Sequence, residues 1–248
     1  MIASFKLGNK SFKADLSKPL DISIPLRHGE QNVSAWYVNP PRIEPHREGD
    51  FVGSVDQGAS INFNDIYFNP HAHGTHTECL GHITEQRHSV NQTVDQYFFQ
   101  ARLITIAPEK VGDDLVISRK QLQKNLSGEV SEALVIRTLP NTRDKVSRQY
   151  SHTNPPYFTE EAIIFLVNQG IMHLLVDLPS IDKEKDEGEL LGHRAFWGLG
   201  QKLRPGATIT EFIYVSHKIK DGSYLLELQM APFENDASPS RPVLYQIF

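Results

Sequence analysis

Cysteine is nearly absent from this sequence. A single one, Cys79, in 248 residues leaves no partner for an intrachain disulfide and excludes a zinc site built on paired thiolates. Any metal must therefore be held mainly by nitrogen and oxygen. Long apolar runs are also missing. No window approaches the roughly 18 uninterrupted apolar residues of a membrane span, and the N-terminal stretch has no basic start followed by about 7 to 15 apolar residues. The chain reads as soluble and cytoplasmic, without a membrane partner. A basic stripe is lacking too: 25 Lys and Arg, scattered among 30 Asp and Glu, leave a net charge of -5, which argues against nucleic acid as a partner. With no internal repeat, low-complexity segment or linker, residues 1–248 read as one domain. Its 39% hydrophobic and 22% charged residues are enough to build a core.

Local patterning predicts an α/β chain. Residues 20 to 26 alternate apolar and polar and predict a strand that Pro25 confines to an edge or an end. From Asn32 to about Ser54, Pro40, Pro41 and Pro45 break every period, so this stretch predicts a loop in which Trp36 and Tyr37 could cover a pocket. The apolar runs 101 to 107 and 133 to 138 flank a short helix capped by Ser118, a strand, helix, strand unit. The unit repeats: Thr159 caps a helix with Glu160 and Glu161 in its first turn, Gly170 ends it, and Met172 to Asp177 reads as a strand. This alternation predicts a parallel or mixed sheet. Residues 208 to 217 and 223 to 231, joined through Asp221 and Gly222, predict a β-hairpin, with a last strand near Val243 to Ile247.

What the sequence has in excess is histidine. Of 11, five (His71, His73, His76, His82, His88) fall within 18 positions. If Thr75 to His82 is extended, His76, Glu78 and His82 project to one face, while Thr77, Cys79 and Gly81 project to the other. Cys79 therefore faces away from His82, which argues against a thiol nucleophile. His71 and His73 have the opposite parity, and a bulge at Gly74 would bring them to the same face. A nitrogen and oxygen site of this kind suits Zn²⁺ or Mn²⁺ and leaves room for water. Burying so many titratable groups without partners would be costly.

The run Gly74-Thr75-His76, Glu78 and His82 resembles the His-x-Gly-Thr-His-x-Asp-x-Pro-x-His signature of the cyclase family of metal-dependent hydrolases. Ala72 stands where that signature has its first histidine, Glu78 where it has aspartate, and Leu80 where it has proline. The resemblance implies that His76 and Glu78 are metal ligands and His82 the catalytic acid/base. His71 is favoured as the displaced first ligand, with His73 as the fallback. Asp177-Leu-Pro-Ser-Ile-Asp182 is similar to a segment that precedes two further ligands in the family, and His193 and Glu211 match those positions, with Gln201 to Gly206 reading as an insertion. From the residues alone, Asp177 and Asp182 read as carboxylates capping the turn after a strand.

The family implies a single α/β domain with a mixed sheet and a β-barrel-like core, of the swivelling β/β/α type, assembled as a homodimer or homotetramer. It implies hydrolysis of a small amide, an aryl formamide or a cyclic amide, by one or two Zn²⁺ or Mn²⁺ ions with metal-bound hydroxide as nucleophile. Trp36 and Tyr37, and Phe196 or Trp197, are candidates for an aromatic wall against a flat substrate. The alternatives are a metal-dependent cyclase or lyase of another small molecule, and a non-enzymatic metal-binding protein.

Overall fold

The computed structural model describes residues 1–7, 10–126 and 131–248. Its centre is a curled, nine-stranded mixed sheet. In spatial order the strands are Ala237–Pro239, His76–Glu78, Thr208–Glu211, His173–Val176, Ala133–Thr138, Phe98–Ile106, Gly222–Glu227, Val243–Gln246 and Leu20–Asp21. The four from Thr208–Glu211 to Phe98–Ile106 run parallel, and the outer strands add antiparallel on both sides. The expected mixed α/β sheet with a barrel-like curl is the fold observed.

Alternation along the central strands divides the core in two. Leu134 and Ile136 face a layer that contains Leu122, Ile163, Leu166, Phe196 and Trp197 from the helices Arg119–Asn125, Glu160–Asn168 and Leu191–Trp197. Ala133 and Val135 point the other way, into a second core with Leu103, Leu226 and Leu244 from the antiparallel wing. The apolar runs read as strands are thus buried on both faces, as parallel strands between layers must be. The caps form as expected: Ser118 and Gln121 make a reciprocal capping box, and the Thr159 side chain accepts from the Ala162 amide. Among the described residues no helix is long and apolar enough to cross a membrane.

Three local expectations are corrected. Residues 20 to 26 form a strand only over Leu20–Asp21, because the Asp21 carboxylate accepts from the Ser23 amide and hydroxyl and turns the chain before Pro25. The stretch from Asn32 to Ser54 is not all loop. Arg42–Pro45 pairs with Asn64–Tyr67, and Arg47–Glu48 with Phe51–Val52, in a ribbon arm that leaves Phe51, Ile61, Phe63 and Ile66 exposed. The predicted hairpin does not form, since three strands separate Thr208–Glu211 from Gly222–Glu227. Phe212, at φ 54°, ends the first strand, and Arg137 then holds the connecting chain across the end of the sheet through the Ser216 and Ile219 carbonyls. Local alternation at both strands was real; their pairing is set by that crossing.

Candidate metal centre

His76–Glu78 is a buried strand between two antiparallel neighbours, with Glu211 opposite His76 and Ala237 opposite Glu78. Side-chain alternation sends His76 and Glu78 to one face, as the spacing predicts. The chain then leaves the strand: His82 lies in a 3-10 turn, Leu80–Ile83, rather than on an extended segment. That turn depends on Gly81, where a Cβ would collide with the His88 carbonyl oxygen. His82 nevertheless reaches the same place, with Nε2 3.8 Å from Glu78 Oε2.

His71 arrives by a different route from the expected bulge. Before the strand begins, the Ala72 and His73 amides both donate to the Asn69 carbonyl, closing a tight turn that Gly74 leaves at φ 149°. This turn, not strand parity, brings His71 Nδ1 to 3.1 Å from Glu78 Oε2. His73 points away. Its Nδ1 accepts from the Asn69 amide, and its side chain lines two clefts of about 720 and 440 Å³ that none of the clustered side chains lines. Of the two candidates for the displaced position, the structure therefore brings His71 into the cluster.

His193 and Glu211 complete the group. His193 Nε2 stands 3.0 Å from Glu78 Oε1, and His76 Nε2 stands 3.6 Å from Glu211 Oε2. Glu78 is the hub, with Oε2 towards His71, His76 and His82 and Oε1 towards His193. His76, Glu78, His193 and Glu211 form a buried floor, while His71 and His82, with side chains 21% and 29% exposed, form its mouth.

One regularity runs through the four imidazoles. Each has one ring nitrogen bonded outward and the other turned in towards a glutamate. His76 Nδ1 donates to the Gly74 carbonyl at 3.0 Å, and His193 Nδ1 to Asp182 at 2.6 Å. His71 Nε2 lies 2.8 Å, and His82 Nδ1 3.3 Å, from Asp236. The inward atoms His76 Nε2 and Glu78 Oε2 are buried without any hydrogen-bond partner among the described residues. Metal-ligating histidines are oriented in this way, the outer hydrogen bond fixing the tautomer and baring the inner lone pair. The donor set therefore fits a divalent ion held by His71, His76 and Glu78, with a second position beside Glu78 and His193.

The electrostatics call for positive charge between the two glutamates. Burial, and then Glu78, push the Glu211 carboxyl well above the usual carboxylate range. Burial opposes the charge on Glu78 as well, but His82, His193 and His71 hold it well below that range. Burial likewise opposes charge on His71, which Asp236 and Glu78 nevertheless push up to about 10. His76, fully enclosed and beside His71, is pulled down to about 4 and is neutral at physiological pH. Neutral imidazole and carboxylate are the forms that ligate a metal, so an ion bound here would displace the protons that His71 and Glu211 hold without it.

Two carboxylates carry more than the sequence reading gave them. Asp182 does cap a turn, accepting from the Gly192 and His193 amides, but it also orients the His193 ring. Gly192 admits it, since a Cβ there would meet Asp182 Oδ1 at 2.7 Å. Asp236 was missed altogether, because nothing in its local pattern, a polar turn before a three-residue strand, ties it to histidines more than 150 positions away. The aromatic candidates separate. Trp36 donates its indole N–H to the His71 carbonyl at 3.1 Å, beside the mouth, whereas Tyr37 bonds Glu184 through its hydroxyl and packs against His152. Phe196 and Trp197 are fully buried and belong to the core, not to a substrate wall. Buried Cys79 directs its sulfur to the His88 carbonyl.

The sequence model of the Cyclase family matches residues 14–183, about two thirds of the chain and all of the histidine segment. The chain belongs to the Cyclase family. Among curated Cyclase-family relatives it is 27% identical over 231 residues to the kynurenine formamidase of Bacillus cytotoxicus, an alignment spanning 92% of this chain and 97% of that one. It is also 27% identical over 235 residues to the kynurenine formamidase of Bacillus thuringiensis, spanning 93% and 99%. Among solved structures, an isatin hydrolase bound to the product analogue thioisatinate superposes with a TM-score of 0.66 over 92% of each chain at 15% identity. A potential metal-dependent hydrolase with cyclase activity gives 0.66 over 92% and 97% at 16%. At such identity these two show a shared fold.

Proposed function

We propose that this Cyclase-family chain is a metal-dependent hydrolase of a small amide, an aryl formamide or a cyclic amide. The observation that carries the reading is the uniform orientation of the four imidazoles around Glu78 and Glu211, each tied outward through one ring nitrogen and turning the other towards a glutamate. His71, His76, Glu78, His193 and Glu211 would hold one or two divalent ions, Zn²⁺ or Mn²⁺. Such an ion lowers the pKa of water towards ~7 and polarises a carbonyl as a Lewis acid. The two curated relatives named above, kynurenine formamidases, support a C–N bond as the one cleaved.

The chain's own residues supply the rest. His82 stands at the mouth with Nε2 facing inward and Nδ1 anchored, so Nε2 can accept a proton from the attacking water. As the carbon–nitrogen bond breaks, the same nitrogen returns that proton to the departing amine, leaving a carboxylic acid and a neutral imidazole. The buried floor excludes bulk water from the glutamates, and Trp36 offers a flat face where an aryl group would lie. The apolar residues exposed on the ribbon arm support assembly of the chain into a homodimer or a homotetramer.

The test is turnover. Zinc- or manganese-loaded protein is expected to hydrolyse members of a panel of formyl anilides, N-formylkynurenine and isatin, and His82→Ala to lose about 10²-fold or more of kcat while keeping its metal. Loaded, folded protein that hydrolyses none of them refutes the proposed reaction.

A further inference from the structure

Asp236 lies more than 150 positions beyond the histidine segment, yet it touches both histidines at the mouth. Its Oδ2 lies 2.8 Å from His71 Nε2 and 3.3 Å from His82 Nδ1, and the two rings stack with centroids 4.2 Å apart. The carboxylate is firmly placed. The Asp236 carbonyl accepts from the Cys79 amide, the Asn235 carbonyl accepts from the Val90 amide, and Ala237 pairs directly with Glu78. One backbone link thus fixes Asp236 to the strand that carries Glu78.

A carboxylate can only accept, so both contacting nitrogens must carry a hydrogen. A neutral imidazole with a hydrogen on one nitrogen is bare on the other. In the neutral form that ligates a metal, the atom so bared on His71 would be Nδ1, which faces Glu78 Oε2 at 3.1 Å; on His82 it would be Nε2, which faces the same oxygen at 3.8 Å. One side chain thereby sets two tautomers with different consequences. Given the metal-dependent reading above, on which this inference rests, His71 is prepared as a ligand and His82 as a proton acceptor.

We infer that Asp236 is the positioning residue of this site, holding His71 as an Nδ1 ligand and His82 as an Nε2 base through a single carboxylate oxygen. Asp182 does the corresponding work for His193 alone. Because Asp236 serves a ligand and a base together, its loss should weaken metal binding and, at saturating metal, proton transfer as well.

The experiment compares wild type with Asp236→Asn, which keeps the shape but lets the side chain turn an N–H towards one of the rings. Three readouts are taken: zinc affinity by chelator competition, kcat and KM on a formyl anilide, and the tautomer of His82 by nitrogen-15 NMR at pH 9. Expected is a roughly 10- to 100-fold loss of zinc affinity, as for other residues that hold a ligand rather than the metal. With it should come a similar fall in kcat at saturating zinc, little change in KM, and a shift of His82 away from the form protonated on Nδ1. A merely structural Asp236 would lower the unfolding temperature and leave these three where they were. Zinc affinity and kcat within about twofold of wild type would overturn the inference, and so would a wild-type His82 protonated on Nε2. If wild type takes up no zinc or cleaves no amide, the functional reading falls by itself. The tautomer of His82, read on the wild-type protein without zinc, then still decides what Asp236 does.

Discussion

Two buried charged centres lie near the ends of the parallel strands, and they have opposite characters. In one, Asp177 accepts from the Thr138 amide and hydroxyl and from Lys145 Nζ, and Lys145 also donates to the Thr138 carbonyl. Burial pushes the Asp177 carboxyl up and Lys145 pulls it back, within a network that meets its own needs. In the other, two glutamates and four imidazoles converge, and among the described residues His76 Nε2 is left without a hydrogen-bond partner. A buried charge is tolerated when its counter-charge comes with it. The first centre carries its cation as a lysine, and its role is to hold the fold. The second has its donors oriented and no lysine or arginine among them, as the proposed metal site requires.

The comparison is sharpened most by removing a group from the second centre. His76→Ala deletes an inward nitrogen on the floor and should abolish tight zinc binding and hydrolysis together, with the ion-free protein still folded; elemental analysis with circular dichroism checks it. Zinc retained at wild-type affinity would show that the floor is not the site. Next in size is Lys145→Met, which strands a buried carboxylate and should cost about 3 to 5 kcal/mol of stability in urea unfolding. Zinc stoichiometry should be unchanged, and a lost metal would show that the two centres are not independent.

The sequence showed the second centre far better than the first. His76 and Glu78 are two positions apart on one strand, so alternation alone unites them, and family resemblance adds His193 and Glu211. The sheet was legible as a set of apolar runs, since both faces of its parallel strands are buried. What local pattern cannot carry is pairing across distance. The left-handed turn at Phe212 ends one strand, the next in sequence is separated from it by three strands, and Asp236 meets His71 because the strand that follows it pairs with that of Glu78. The placement of His71 came out as expected for a different reason, a turn at Asn69 rather than a bulge. Lys145 and Asp177, 32 positions apart, gave no signal as a pair.

A smaller effect separates titration in the body of the sheet from titration in the cluster. His173 sits against Phe99 with Nδ1 bonded to Thr208; burial, and then Arg204, pull it down to about 4. The folded state thus binds this proton less readily than the unfolded chain. The stability His173 contributes is complete above its ordinary value near ~6.5 and is lost as pH falls from there towards 4, at most about 3 kcal/mol. Urea unfolding at pH 7.5 and pH 5 should show a smaller acid loss for His173→Leu than for wild type, and equal losses would refute the assignment. Smallest is Glu184→Gln. Glu184 accepts from the Tyr37 hydroxyl and from the His152 and Asn154 amides, and so tethers the segment that carries Trp36. Its half-buried position limits the stability cost to about 1 kcal/mol. A rise in KM for aryl substrates at constant kcat is the expected result, and an unchanged KM would place that segment outside the substrate's reach.

The contrast between the two centres rests on one claim, that the histidine and glutamate cluster is completed by a divalent cation. The direct measurement strips purified protein with a chelator, returns Zn²⁺ or Mn²⁺, and records bound metal and unfolding temperature together. About one to two equivalents per chain are expected, with an unfolding temperature that climbs with free metal concentration, as mass action requires of a ligand bound only by the folded state. Folded protein that takes up neither ion, with an unfolding temperature indifferent to both, would contradict that claim.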